Sequence, residues 1–433
     1  MNTDVIVENI EKVKHPKGLA TLFMVEMWER FSYYGMRALL VPYLVFKVIT
    51  DDGSFSGRGW SEADAMHLYG TYTGLAYLFL ILGGVIADRL IGTHRSMVVG
   101  AVLITLGHLV LAMSGFGTLA FDNTGLALFI TGLALIVLGT GHFKPCVSVM
   151  VGQLYKDNEA GRDGGFSIFY MGINVGAALS AFVCGTLGEK VGWHAGFGAA
   201  AVGMLLGLVT YFIRRPKTLE GIGLAPVDKP DYSPYFLFGS IILSSFFGLF
   251  YFFGGLKSFL SVYDSLLTVI PGYVLVITAL LGVVFLSGWF IKIQEAGERG
   301  AVVTVLVFIF FNALFWMGFE QAGSTLNLFA RDNTDRMIGS FEMPFTWFQS
   351  VNPILIVLLA PLFAVMWGRL GLKGKNPSQS LKIAMGLTLL GAGYIVMVFA
   401  GSIASTGVKV GMGWLALTYA LHTMGELCLS PTG

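Results

Sequence analysis

The chain has 433 residues, of which 55% are hydrophobic and only 12% charged, and its mean hydropathy of +0.74 excludes a soluble globular protein. A net charge of +1, with the basic residues spread over short loops, gives no footprint for nucleic acid. The three cysteines, Cys146, Cys184 and Cys428, lie in apolar stretches without CxxC or metal-ligand spacing, so no disulfide and no metal site is expected.

Residues 1–18 are charged and lack the apolar core of a signal peptide, so the first apolar segment is read as a permanent helix. Hydropathy predicts an all-α polytopic membrane protein with spans near 19–48, 65–88, 96–117, 125–152, 164–187, 193–213, 235–256, 269–292, 301–323, 344–368, 381–403 and 412–433. Basic residues gather in alternate loops, at Lys12, Lys14 and Lys17, at Arg214, Arg215 and Lys217, and at Arg369, Lys373, Lys375 and Lys382. By the positive-inside rule the N-terminus is cytoplasmic. Segment 213–235 carries Pro216, Pro226, Pro230 and Pro234, the composition of a linker between halves.

The first span carries Glu26, Glu29, Arg30 and Arg37. At 100° per residue these fall on one helix side with Tyr33 and Tyr34, a polar stripe of roughly 16 Å. A charge at mid-bilayer costs about 2.5–3.5 kcal/mol, so such a stripe is expected to face a bundle interior and mark a substrate or proton route. Lys144, Glu320 and Glu426 add charges in three further spans. Acids then outnumber bases within the membrane, and one carboxylate lacks a full cationic partner, which suits a proton carrier. A static ion-pair network that fixes helix register is the competing explanation. His67, His108, His142 and His422 lie in or near spans, where packing is favoured over proton relay. Pro145 and Pro431 are expected to kink their helices.

An internal echo links the first span to the ninth: Trp28-Glu-Arg-Phe31-Ser-Tyr-Tyr-Gly35 and Trp316-Met-Gly-Phe319-Glu-Gln-Ala-Gly323 share W-x-x-F-x-x-x-G. If the ninth span opens a second half, that half has four spans where six are needed, and the natural protein is expected to continue past Gly433.

Glu26-x-x-Glu29-Arg30-Phe31-x-Tyr33-Tyr34-Gly35 resembles the ExxERFxYYG signature of proton-coupled oligopeptide transporters, a family of the major facilitator superfamily. Phe169-Tyr170-x-x-Ile173-Asn174-x-Gly176 is similar to its second signature, Gly141-His-Phe-Lys144-Pro145 to its fourth-helix motif, and Phe315-Trp316-x-x-Phe319-Glu320-Gln321 to its seventh-helix motif. Gly425-Glu426-Leu-Cys-Leu-Ser430-Pro431 resembles the tenth-helix motif. The resemblance implies two six-helix bundles with an inserted helix pair: an N-terminal bundle at 1–213, linker and inserted helices at 214–300, and the first four helices of a C-terminal bundle at 301–433.

It also implies a symporter that imports di- and tripeptides by alternating access, as a monomer in the cell inner membrane, with protons as coupling ion and no other cofactor. Glu26, Glu29, Arg30 and Glu320 are expected to couple protons, with protonated Glu320 releasing Arg37. Arg37 and Lys144 would face the peptide carboxylate and Glu426 its amino terminus. Asn174 and Asn327 would bond the peptide ends, while Tyr34, Tyr72, Tyr170, Trp316 and Ser430 complete the pocket. Gly84-x-x-Ala87-Asp88-Arg89-x-x-Gly92-x-His94-Arg95 looks like the superfamily's cytoplasmic gate motif, with Asp88, Arg89 and Arg95 as its charges.

Among other readings, two pocket acids argue against a nitrate or other anion carrier. The retained coupling residues argue against a non-transporting receptor. An enzyme finds no accompanying HExxH, GxSxG or paired-aspartate motif, and no nucleotide-binding loop is present to use ATP.

Overall fold

The computed structural model describes residues 15–46, 57–156, 159–226, 230–255, 258 and 272–429. In chain order these form α1 (Lys17–Val45), α2 (Glu62–Ile86), α3 (Gly92–Met113), α4 (Asn123–Leu154), α5 (Arg162–Ser180), α6 (Thr186–Lys190) and α7 (Trp193–Thr218). There follow α8 (Ser233–Phe252), α9 (Gly272–Ile293), α10 (Arg299–Phe319), α11 (Thr325–Asp332), α12 (Val351–Leu372), α13 (Gln379–Ala404) and α14 (Gly413–Leu429). π-Helical turns at Ala87–Ile91 and Ala181–Gly185 join α2 to α3 and α5 to α6, so each pair runs on without a loop. The chain packs as two compact units, one through Leu249 together with Gly323–Val357, the other from Phe250–Ala322 and from Leu358 onward.

Starts of the helices in the first unit follow from local chemistry. Ser61 accepts the Asp64 N–H at the head of α2, where Glu62 and Asp64 also complement the helix dipole. Asp122 accepts the Gly125 N–H at 2.7 Å to open α4. Small residues then set how closely helices approach, the packing that matters where lipid removes any hydrophobic drive between helices. A Cβ on Gly100 of α3 would lie 2.6 Å from both Gly139 O and Phe143 N of α4, and one on Gly107 would lie 2.8 Å from Gly132 O. A core of Leu22, Ala101, Phe143, Met150, Met204 and Tyr211 fills the space among α1, α3, α4 and α7. α8 lays Phe236, Leu237 and Ile241 on Val99, Leu103, Leu135 and Leu138.

The first unit also holds α11, an antiparallel hairpin pairing Met337 with Glu342, and a 3-10 helix at Phe345–Ser350 that leads into α12. In the second unit Phe315 and Phe319 of α10 pack with Leu390 of α13 and Leu429 of α14. The Tyr394 hydroxyl donates to Gly318 O at 2.7 Å.

Among the described residues, nine helical stretches are long and apolar enough to cross a bilayer. Sequence reading predicts twelve spans, and the difference has a physical origin. Glu62–Met113 is one continuous stretch that holds two predicted spans, α1 carries five charged residues, and α14 has only 17 residues. The predicted span 301–323 ends its α-helix at Phe319, turns through a 3-10 segment at Glu320–Gly323 and restarts as α11. α4 stays helical through Pro145. Pro145 has no N–H for the Gly141 carbonyl, and Gly83 of α2 closes onto that carbonyl. Ser430 and Pro431 lie outside the described residues.

Candidate transport site

The α1 stripe is buried: Glu26, Glu29, Arg30 and Arg37 are each no more than 5% exposed. Arg30 Nε lies 3.0 Å from Glu26 Oε1 and 2.5 Å from Glu29 Oε2. These are contacts of charge rather than aligned hydrogen bonds, since neither Glu29 oxygen nor Arg30 Nε finds hydrogen-bond geometry among the described residues. One guanidinium thus serves two carboxylates within a single helical turn. Lys144 of α4 stands close enough to act on Glu29 electrostatically, and its ammonium sits 4.5 Å above the Tyr77 ring of α2. The Arg30 guanidinium lies 5.2 Å over the Tyr33 ring.

α2 supplies the wall opposite. Tyr72 is buried, its hydroxyl without a hydrogen-bond partner among the described residues, and it lies within electrostatic reach of Glu29, Tyr69 and Arg30. One turn earlier, Tyr69 accepts a 2.9 Å hydrogen bond from Arg37 Nε, while the Arg37 guanidinium sits 5.7 Å over Tyr34. Gly323 completes this corner: a Cβ there would come within 2.7 Å of Arg37 Nε and into the Tyr69 hydroxyl. Tyr69 is not among the residues singled out by sequence. Its spacing of three from Tyr72 on a helix is the signal that finds it.

Two asparagines predicted to meet the peptide are buried and spend part of their capacity on the fold. Asn174 Nδ2 donates to Tyr170 O, one turn back on α5, at 3.0 Å. Asn327 Nδ2 donates to Ala38 O of α1 at 2.9 Å, and its Oδ1 has no hydrogen-bond partner among the described residues. Trp316, Glu320 and Glu426 belong to the second unit. Trp316 packs edge-on against Phe315 and Phe319, Glu320 stands at the C-terminal cap of α10, and Glu426 is buried in α14. Ser430 lies outside the described residues.

The histidines separate by environment. His108 is buried with neither ring nitrogen bonded among the described residues, His142 Nδ1 meets Ser96 Oγ at 3.1 Å, His422 packs 5.0 Å from the Tyr394 ring, and His67 is exposed. No hydrogen bond joins any two of these four among the described residues.

Asp88 and Arg89 are exposed on the π-turn after α2. Gly92 follows at φ +81°, and a Cβ there would stand 2.6 Å from the Ala225 backbone. The segment after α7 therefore lies directly on this turn. The His94 N–H donates to Gly223 O at 2.9 Å, the Gly223 N–H to Gln153 Oε1 at 2.8 Å, and His94 Nδ1 meets the Tyr211 hydroxyl at 2.6 Å. Arg95 Nε lies 3.3 Å from Asp231 Oδ2 at the surface. Hydrogen bonds from Ser233, aided by Arg95, hold the Asp231 carboxyl below the usual carboxylate range.

Known proteins match both the fold and the sequence. The POT family profile matches residues 94–218 and 272–433. A peptide transporter, YePEPT, of Yersinia enterocolitica is 38% identical over 97% of this chain and 81% of its own. A di-/tripeptide transporter of Lactococcus lactis subsp. cremoris is 34% identical over 99% and 85%. Among solved structures, a peptide transporter POT in complex with sulfate superposes with a TM-score of 0.76 at 37% identity, covering 96% of this chain and 81% of that one. A POT family transporter in complex with a thioalcohol-conjugated peptide gives 0.76 at 33% identity, covering 96% and 83%. With multiple helices long and apolar enough to span a membrane, the chain belongs to the POT family of transporters.

Proposed function

We propose that the protein imports di- and tripeptides together with protons, by alternating access, across the cell inner membrane with its N-terminus in the cytoplasm. Membership of a family whose similar relatives are peptide and di-/tripeptide transporters carries the substrate class. Proton coupling is supported by the buried Glu26, Arg30, Glu29 group, where two carboxylates compete for one guanidinium with Lys144 nearby. A proton on either acid leaves Arg30 committed to the other, and a change that small is enough to bias an equilibrium between two conformations.

In this reading Arg37 and Lys144 take the peptide carboxylate and Glu426 the amino terminus. Asn174, Asn327, Tyr34, Tyr72, Tyr170, Trp316 and Ser430 form the remaining wall, and Glu320 couples protonation to Arg37. Asp88, Arg89 and Arg95 act at the cytoplasmic gate. Residues 1–213 work as one bundle against 301–433, joined by 214–300, and the unit of transport is the monomer.

Uptake of labelled dialanine into proteoliposomes, driven by an inward proton gradient, tests the proposal. Wild-type protein accumulates peptide only with the gradient, and Glu29→Gln loses accumulation while still exchanging peptide at equal pH. Absence of peptide uptake or competition at any pH, in folded protein, refutes it.

A further inference from the structure

At its C-terminal end the α5–α6 stretch meets the 3-10 helix Phe345–Ser350. Glu189 Oε1 accepts the Thr346 N–H at 2.9 Å and the Thr346 hydroxyl at 2.5 Å, and Oε2 accepts the Phe345 N–H at 3.2 Å. A turn earlier Thr186 Oγ1 accepts Trp347 Nε1 at 2.8 Å, and Gly185 leaves room for Thr346. Beyond these, Phe182 meets the Trp347 ring edge-on at 5.0 Å, and Ala178 O accepts the Ser350 hydroxyl at 2.7 Å. Residues 178, 182, 185, 186 and 189 recur at helical spacing, so these contacts come from one side of the stretch.

We propose that Glu189 is a gating residue: by capping the Phe345–Ser350 helix it latches the transport path shut at this end, and its release is a step in opening there. The inference rests on the transporter reading, because only alternating access requires the first six helices to part from the segment that holds Phe345–Ser350. Chemistry sets this face apart from the permanent seams of the bundle. Between α3 and α4, glycines let backbone interlock with backbone. Against Phe345–Ser350, the polar contacts described above each involve a side chain and can be replaced by water when the surfaces separate. The carboxylate also accepts from backbone N–H groups at the start of the 3-10 helix, where no intrahelical acceptor exists. Arg336 adds positive potential: it acts on Glu189 electrostatically while bonding Glu342 at 2.7 Å and Met343 O at 2.6 Å. Asn327 bonding to Ala38 O gives a second tie between the same segment and the first helix.

Spin labels at Lys190→Cys and Ser340→Cys, both exposed positions, allow the separation to be read by pulsed electron resonance in protein whose buried native cysteines are replaced. Wild-type protein gives a predominant short distance. Glu189→Ala raises the ratio of long to short distances by about tenfold or more, since it removes three hydrogen bonds, and Glu189→Gln, which keeps an acceptor oxygen, gives a smaller rise. Apparent affinity for dialanine added from that side increases in parallel. An unchanged distance distribution in folded Glu189→Ala protein overturns the latch. Thr346→Val, which removes a single hydroxyl, carries the same test if the alanine variant does not fold. The distance readout needs no peptide, so failure of the peptide reading and failure of the latch are told apart.

Discussion

Removing the Tyr69 hydroxyl tests whether Arg37 is aimed by α2. In Tyr69→Phe the ring stays in place while buried Arg37 loses the acceptor that lies 2.9 Å from its Nε. A hydrogen bond to a charged group is worth about 1.5–3 kcal/mol, a factor of roughly ten to a hundred if that orientation is wholly transmitted to the ligand. Tyr34 stacking remains and limits the loss, so the lower end of that range is expected. The assay is competition against labelled dialanine by unlabelled dialanine and by its C-terminal amide. Affinity for the carboxylate-bearing peptide falls about tenfold, whereas the amide, which offers Arg37 no anion, changes by less than about twofold. Equal losses for both peptides would show that Tyr69 only supports the fold. No loss for either would show that Arg37 does not depend on it.

Gly100→Ala places a methyl 2.6 Å from Gly139 O and Phe143 N, so α3 must move by several tenths of an ångström, at a cost of about 1–3 kcal/mol. Thermal unfolding in detergent reads this against Gly282→Ala, where nothing lies within 4 Å and alanine raises helix stability by about 0.5–1 kcal/mol. Arg58→Ala strands three acceptors, the Tyr43 hydroxyl at 2.8 Å and the carbonyls of Asp122 and Leu119 at 3.1 Å, and lowers unfolding free energy by about 2–3 kcal/mol in the same assay. Asp231→Asn changes stability by less than about 1 kcal/mol, because its pair with Arg95 is exposed to water. The sign is fixed by the lowered carboxyl pKa: any contribution from Asp231 is present above the ordinary carboxylate range and fades as pH falls through its folded value.

How much of this molecule is legible in its sequence follows the energetic cost of each feature. Glu26, Glu29, Arg30 and Arg37 stand out because charge in an apolar helix is expensive wherever it points to lipid, which fixes both their depth and the face they occupy. The helix pattern of the first unit is legible for the related reason that a backbone in lipid must satisfy itself. Where a feature costs little, sequence is silent. The break between α10 and α11 keeps its hydropathy through Glu320–Gly323 and therefore looks like the middle of one span. Gly100 and Gly282 read alike, although one sits in a backbone crossing and the other in open space. Glu189 lies at the end of a predicted span, where an acid needs no explanation, and its partner Thr346 is 157 residues further along the chain. Tyr69 falls between these cases, since helical spacing links it to Tyr72 while only the fold supplies Arg37 as the group it orients. Charges buried in an apolar helix are thus announced by their cost, whereas a contact such as Glu189 with Thr346 sits at helix ends, where polar chemistry is cheap.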